Sequence, residues 1–464
     1  MNTQEKLREL IEQTTSQVMS MIMMTIGKGT FSDIVEKTQK IVKNLGVQIL
    51  QAAFTEADEI FNVERDRHKV IIKNNGKTRR LLTVLGEVTL HRRLYYDKTA
   101  ARYFFAVDEL LQLESYSRIE KGMQAQLISD ATRSSYGKAA EIAEKKVSRQ
   151  TVHNLVRRLE DEKLSVQAKG YRSLNKIFIE ADEDHIHLNN GTPAEVRLIY
   201  VHEGVREVCR GRRELINPKY FVSVSSDYDV IWSEVADYVY SQYKMSSAQL
   251  HIAGDGAQWI KYGLQVFPKA KYHLDKFHVY KSVTDVSGGD RILRRRIIEG
   301  LKESNFDRIR HLYETRLQSL TKGSDRQNVR SGLFYVENNF DEIDLSPASS
   351  CAAEGHVSHI LSARMSSRPM GWSKAGAYRI ARLRAFYFNG GDFRDVVTCQ
   401  HKLSESDREN TKEKYSGVRF NISNDGQPNL SDYPLSGHVV GIDGLTDKYS
   451  SILRAIIRNK KNLF

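Results

Sequence analysis

Three acidic residues stand where a carboxylate can do chemistry. Asp182 lies in FIEADEDHIHL, a run whose alternation predicts a strand and would otherwise put an apolar side chain at that position. Asp255 follows directly on a second predicted strand, AQLHIAGDG, between Gly254 and Gly256. Glu354, in SSCAAEGHVSHILSARMSSRPMGW, stands near the start of a late helical run, among alanines. In an open α/β sheet, functional groups collect at the strand ends, and a helix packed across the sheet can add one more. Three converging carboxylates repel one another unless a divalent cation shares them. Mg²⁺ and Mn²⁺ take oxygen ligands and keep open positions for water and phosphate oxygens. Two such ions roughly 4 Å apart stabilise the attacking and leaving oxygens of an in-line phosphoryl transfer. Each acid alone also has an ordinary role: a strand-surface residue for Asp182, a turn residue for Asp255, a helix N-terminal carboxylate for Glu354. Asp184 shares the strand face of Asp182 and is either a helper or a competing first ligand.

These acids need elements to hold them. Residues 172–285 predict an α/β domain built on a mixed sheet, with strands in NKIFIEADEDHIHLN, EVRLIYVHEG and KYFVSVS and arginine-rich VREVCRGRREL between the last two. DYDVIWSEVADYVYSQY then predicts an amphipathic helix, AQLHIAGDG a strand, AQWIKYGLQVF a helix and AKYHL a strand. Residues 286–345 lose strand character and predict an all-α segment, with a basic patch at Arg294, Arg295 and Arg296. Residues 346–395 predict a long helical stretch carrying Glu354, and 396–464 a polar, turn-rich extension with one short helix.

Upstream, residues 1–67 show apolar positions at helical spacing. Residues 68–112 predict a small antiparallel β unit with turns at Asn74-Asn75-Gly76 and Leu85-Gly86-Glu87. Residues 113–168 predict helix, helix, tight turn, helix, with Ser148 as N-cap of the last. That helix would expose Arg149, Gln150, His153, Asn154 and Arg157. Arginine, glutamine and asparagine make paired hydrogen bonds to base edges, so the segment predicts a helix-turn-helix that reads DNA. The plainer alternative is an amphipathic helix with polar residues in water. From Gly355 to Gly391 no acidic residue occurs, while Arg364, Arg368, Lys374, Arg379, Arg382 and Arg384 do, which predicts a track for a phosphate backbone. Trp372 within it is better placed in a core.

The bulk numbers agree with a polyanion partner. The chain has 464 residues and a formal net charge of +12, with the excess spread along its length. Three cysteines, Cys209, Cys351 and Cys399, form no CxxC pair, which argues against a disulfide framework or a cysteine zinc site and predicts a reducing cytoplasm. The apolar run VMSMIMMTI is far shorter than a bilayer requires and lacks the flanks of a signal peptide, so no membrane partner is expected.

Taken together, these motifs resemble a known family. Acids on the first and fourth strands, followed by a helical glutamate after an insertion, are the layout of RNase H-like DDE transposases. GDGAQWIKYGLQVFPKAKYHLDKFH is similar to the second-aspartate block of Mutator-like bacterial transposases, where an Asp-Gly turn, a Phe-Pro and a strand ending in a Cys- or Asp-x-x-His pair follow one another. IEADEDHIHL, EGHVSHILSARMSSRPMGWS, GEVTLHRRLYYD and the helix-turn-helix segment resemble the ISLre-two insertion-sequence branch, from about residue 70 to 390. The resemblance implies a multidomain α/β protein whose RNase H-like core is interrupted by the all-α insertion. Asp182, Asp255 and Glu354 would be its metal-binding triad, with Asp184 a further candidate and Mg²⁺ or Mn²⁺, as two ions, the cofactor. Asp275 and His278 would steady the fold or the DNA near the site; the alternative is a helix start with Asp275 as N-cap. The implied activity is cleavage of double-stranded DNA at an element's terminal inverted repeats and strand transfer into target DNA. It would proceed in the cytoplasm at the nucleoid, by a homodimer or larger assembly. A transposon-derived regulator without catalysis, or an RNase H-like nuclease without strand transfer, are the alternatives.

Overall fold

The computed structural model describes residues 3–398 except 27, 112, 145, 166–169, 211, 346–352 and 369. The extension expected over 396–464 therefore lies almost wholly outside the described residues, as do Cys351 and Cys399. The fold is mixed α/β, and the chain divides into two compact units, one within residues 1–127 and the other over residues 128–396.

The first unit opens with two helices, α1 (Thr3–Thr25) and α2 (Phe31–Glu64). Thr30 starts α2 with a reciprocal capping box: its hydroxyl accepts from the Asp33 N–H at 3.2 Å, and Asp33 accepts from the Thr30 N–H at 2.7 Å. A three-stranded antiparallel meander follows, β1 (Val70–Thr83), β2 (Gly86–Asp97) and β3 (Arg102–Phe105), and then α3 (Ala106–Leu110). The Leu85-Gly86 turn is present, but Asn74-Asn75-Gly76 is not a turn. β1 runs through it with register shifts between Ile72 and Lys77, because two extra residues are absorbed as bulges while pairing to β2 continues on both sides. Helix and sheet share one core: Val47, Leu50 and Phe54 of α2 pack on Leu81, Val88 and Leu90. The stretches 1–67 and 68–112 thus fold together.

The next three helices are α4 (Lys121–Arg133), α5 (Tyr136–Glu141) and α6 (Arg149–Arg157). Ser135 and Ser148 cap α5 and α6 by accepting from the Lys138 and Thr151 N–H groups. Then comes the large sheet: β4 (Lys176–Leu188) and β5 (Pro193–His202), a projecting hairpin of β6 (Val205–Cys209) and β7 (Arg212–Leu215), and β8 (Lys219–Ser223). It continues with α7 (Asp229–Gln242), β9 (Gln249–Gly254), α8 (Gln258–Lys261), α9 (Gly263–Val266) and β10 (Lys271–Leu274). The strand order is β10-β9-β4-β5-β8, with β9 and β10 parallel to β4 and β5 antiparallel to its neighbours. The β6–β7 hairpin was not expected, since its side chains are largely exposed and the stretch has no apolar alternation.

α10 (Lys276–Ser287), α11 (Arg291–Lys302), α12 (Phe306–Ser319) and α13 (Gly323–Asn338) form a helical group with its own core, including Val283, Ile297, Ile309, Tyr313, Val329 and Val336. The late helical stretch is broken where one long helix was expected. It comprises α14 (Ala353–Val357), a single π-helical turn over Ser358–Ser362, α15 (Ala363–Met365), the short strand β11 (Gly371–Trp372), α16 (Lys374–Phe388) and α17 (Phe393–Thr398).

Alternation along β4 gives the sheet two different faces. Ile177, Ile179 and Ala181 face α7 and join Ile199, Val201, Ile252, Trp232 and Val235 in one apolar core. The even-numbered residues Glu180, Asp182 and Asp184 face the opposite side, toward α14 and α16, and are nevertheless buried. Among the described residues, no helix is long and apolar enough to cross a membrane.

Candidate active site at the break beside β4

Asp182 lies within β4, and Asp255 directly follows β9, the strand parallel to it. β9 pairs with β4 as far as Ala253 opposite Glu180. β9 ends at Gly254, and that edge of β4 is next occupied by β11, at His187 and Leu188. Between them β4 has no strand partner on this edge, and Asp182 and Asp184 lie in that break. Asp255, just past the C-terminal end of β9, stands where open α/β sheets place ligands.

The two glycines around Asp255 are required by the turn. A Cβ on Gly254 would lie 2.7 Å from Ile260 and 2.9 Å from the Ala181 carbonyl oxygen. Gly256 has φ +98°, and a Cβ there would stand 2.4 Å from Asn339 Oδ1. Asp255 tightens the turn by accepting from the Ala257 N–H at 2.8 Å. Its charge is felt nearby: Glu183 is held above the usual carboxylate range, first by burial and then by Asp255. Burial, with Asp255 next, also raises the Tyr272 and Tyr335 hydroxyls, which remain protonated donors.

Asp182 is 6% exposed and Asp184 8%. One oxygen of Asp184 accepts from the Ser366 hydroxyl at 2.9 Å, while burial pushes its carboxyl above the usual range. A carboxylate buried this deeply is costly without a cation or a full set of donors. The donor set is all oxygen, which suits Mg²⁺ or Mn²⁺. Among the described residues no group of three His, Cys, Asp or Glu side chains stands ready to hold a metal ion. The third expected acid, Glu354, lies in α14, and its side chain falls outside the described residues. α14 itself packs on the Asp182 face of the sheet, as the contacts of His356 show: its Nδ1 is 3.1 Å from Tyr220 Oη and its ring 4.7 Å from that of Tyr200.

Asp275 is the N-cap of α10, accepting from the Phe277 N–H at 2.9 Å, so the plain reading of that residue holds. It also sits beside the site, because its own N–H donates to the Gly254 carbonyl at 2.7 Å. His278 Nε2 lies 4.0 Å from Asp275 Oδ2.

The candidate DNA-reading helix is presented as expected in part. Arg149, Gln150, Asn154 and Arg157 are exposed on α6, while Val152 and Val156 are buried. His153 is half-buried and meets the Tyr136 ring edge-on, so it belongs to the helix packing as much as to the surface.

The basic track after Glu354 does not survive intact. Arg364 is 5% exposed; it donates to the Ala131 carbonyl at 3.2 Å and stacks on Trp372. Arg382 is buried and paired with Glu234 at 2.6 Å, and Arg379 is paired with Asp161. Arg384, also buried, donates to the carbonyls of Thr132, His359 and Ile360. Arg364 ties α15 to Ala131, Arg384 ties α16 and the π-turn to Thr132, Arg382 ties α16 to α7 and Arg379 ties it to Asp161, so these guanidiniums are not offered to phosphates. Arg368 and Lys374 are exposed and remain candidates. Trp372 is buried, donating to the Met365 carbonyl at 2.9 Å.

The sequence reading missed Glu180. It is 4% exposed, accepts from the Tyr200 hydroxyl and lies 3.2 Å from His202 Nε2. An acid at an alternating strand position looks like a solvent-facing one, and nothing local reveals the helix that covers it.

Comparison with known proteins places these residues in a family context. The model of the uncharacterised protein family UPF0236 matches residues 28–402, spanning all of the acids above. A UPF0236 protein of Caldanaerobacter subterraneus subsp. tengcongensis, named by eleven locus designations, is 33% identical over 371 residues, covering 79% of each chain. A second from the same organism, named by four, is 32% identical over 389 residues, covering 82% of this chain and 83% of its own. A UPF0236 protein of Streptococcus gallolyticus, "in vanSb 3'region", is 22% identical over 335 residues, covering 68% of this chain and 73% of its own.

Proposed function

The chain belongs to the UPF0236 family, and we propose that it is a DDE transposase of an insertion sequence, with an RNase H-like core split by the α10–α13 helical group. The observation that carries this reading is the parallel pairing of β9 with β4, which puts Asp255 at the end of the strand beside the one that bears Asp182, where β4 lacks a partner on that edge. The order β8-β5-β4-β9-β10, with one antiparallel strand beside the first, supports the RNase H-like assignment. A helical group before the segment bearing Glu354 supports the insertion. The names of the relatives support mobility: a single protein carried at eleven loci of one organism is what a self-copying element leaves behind.

In this reading Asp182, Asp255 and Glu354, with Asp184 beside them, hold Mg²⁺ or Mn²⁺ as two ions. Bound there, the ions would activate water and stabilise the oxygens of an in-line phosphoryl transfer. The chain's own residues do the rest. The Gly254-Asp255-Gly256 turn fixes the direction of one carboxylate, and burial keeps bulk water from Asp184. Exposed Arg149, Gln150, Asn154 and Arg157 on α6 bind the terminal inverted repeats, while Arg368 and Lys374 meet phosphates. Two DNA ends must be held together, so at least a homodimer forms on DNA, in the cytoplasm at the nucleoid. The test is incubation of the purified protein with a plasmid carrying the DNA that flanks its gene, with Mg²⁺ or Mn²⁺. Cutting at the element ends supports the proposal. Binding without cutting under either metal points to a regulator, and cutting without joining to a nuclease.

A further inference from the structure

α14 is only five residues long, and the side chains beneath it show what seats it. Beneath it, on the Asp182 face of the sheet, lies a buried polar group drawn from three strands. Glu180 of β4 accepts from the Tyr200 hydroxyl of β5 and pairs with His202 of β5, whose Nδ1 is 3.2 Å from the Gly204 N–H. His202 thus reaches the Gly204 backbone through Nδ1 and the Glu180 carboxyl group through Nε2. Tyr200 then packs tilted against Tyr220 and His356, with centroids 5.7 and 4.7 Å apart, and Tyr220 Oη meets His356 Nδ1 at 3.1 Å. Burial raises the Tyr220 hydroxyl to about 12, so it stays a donor. Tyr220 Oη and His356 Nδ1 thus join α14 to β8 by a hydrogen bond.

Such an arrangement is an unusual way to fill the space under a helix. Apolar side chains of similar volume would hold a helix down equally well, without desolvating a carboxylate. What a satisfied polar group adds is a single permitted seating, because displacing the helix leaves a buried donor or acceptor unpaired. The π-helical turn at Ser358–Ser362 immediately follows, a local insertion that re-registers the chain after α14 and is frequent at functional sites. His356 and Glu354 are two residues apart on this one turn of helix, so fixing the rotation of one fixes the backbone of the other.

We propose that His356, held by Tyr220 and by the Glu180–Tyr200–His202 group, is a positioning residue that sets the backbone of Glu354 over the strand bearing Asp182. This rests on the reading of Glu354 as the third acid of the site. Tyr220→Phe removes one oxygen and leaves the packing; His356→Gln retains an acceptor for Tyr220, and His356→Ala does not. Mn²⁺ binding by the full-length protein is measured by electron paramagnetic resonance, beside the Mn²⁺ concentration for half-maximal DNA cleavage, affinity for the element ends and melting temperature. Tyr220→Phe and His356→Ala are expected to weaken Mn²⁺ binding about tenfold and to raise the half-maximal concentration equally. His356→Gln should recover most of the loss, and affinity for the ends should not change. If both variants bind and use Mn²⁺ as the parent does, and only their melting temperature falls, the network is merely structural and the inference fails while the site stands. If Glu354→Gln itself binds Mn²⁺ and cleaves like the parent, the reading of the site fails, and the inference with it.

Discussion

Asp255 directly follows β9, the strand parallel to the β4 that bears Asp182, and each acid is placed by a different device. Asp182 is set by alternation within β4, Asp255 by a turn between two glycines that admit no side chain. On the proposed function, Asp182→Asn and Asp255→Asn should each lower metal-dependent cleavage by more than about a hundredfold. Circular dichroism and melting temperature should show the fold retained, since removing a like charge from the break relieves repulsion.

Gly256→Ala should act through the backbone. Its φ of +98° and the 2.4 Å approach of Asn339 predict a loss of about 1–3 kcal/mol, read as a lower denaturation midpoint. Cleavage should fall further than stability does, because the same turn aims Asp255. An unchanged midpoint would mean that the turn relaxes freely.

Buried and exposed arginines should separate in a salt titration. Arg157→Ala on α6 removes a surface cation, so DNA affinity should fall and its logarithmic salt slope should shrink by about one. Arg364→Ala removes a buried guanidinium that donates to Ala131, costing about 1.5–3 kcal/mol of stability with the salt slope unchanged. A reduced slope for Arg364→Ala would return that residue to the DNA.

Asp58 gives the first unit a pH signature. Burial is the largest influence on it and outweighs the Arg93 contacts, so its carboxyl is raised above the unfolded value of about 3.9. A raised carboxyl contributes stability that is fully present below the unfolded pKa and is lost as pH rises through the folded one. Relative to Asp58→Asn, the parent should therefore be most favoured in acid and lose ground toward neutral pH. Melting curves of both proteins from pH 3.5 to 8 check this, and a difference that grows with pH would contradict it.

What the sequence made legible follows from the range of the forces involved. Asp182 was visible because an acid interrupted an apolar alternation, and Asp255 because glycines marked a turn at a strand end. Arg364, Arg379 and Arg382 were misplaced as phosphate contacts because their partners are distant in the chain: Ala131 lies 233 residues from Arg364, and Asp161 218 from Arg379. Glu180 escaped for the same reason, its burial depending on a helix more than 170 residues later. Asn74-Asn75-Gly76 has the composition of a turn, yet cross-strand pairing on both sides overrode it.

The central claim is tested most directly by sequencing the junctions formed when the purified protein, Mn²⁺ and a plasmid bearing the flanking DNA meet a supercoiled target. The account predicts element ends joined to target DNA with the parent protein and none with Asp255→Asn. Bound but uncut ends with the parent, or equal joining by the variant, would contradict it.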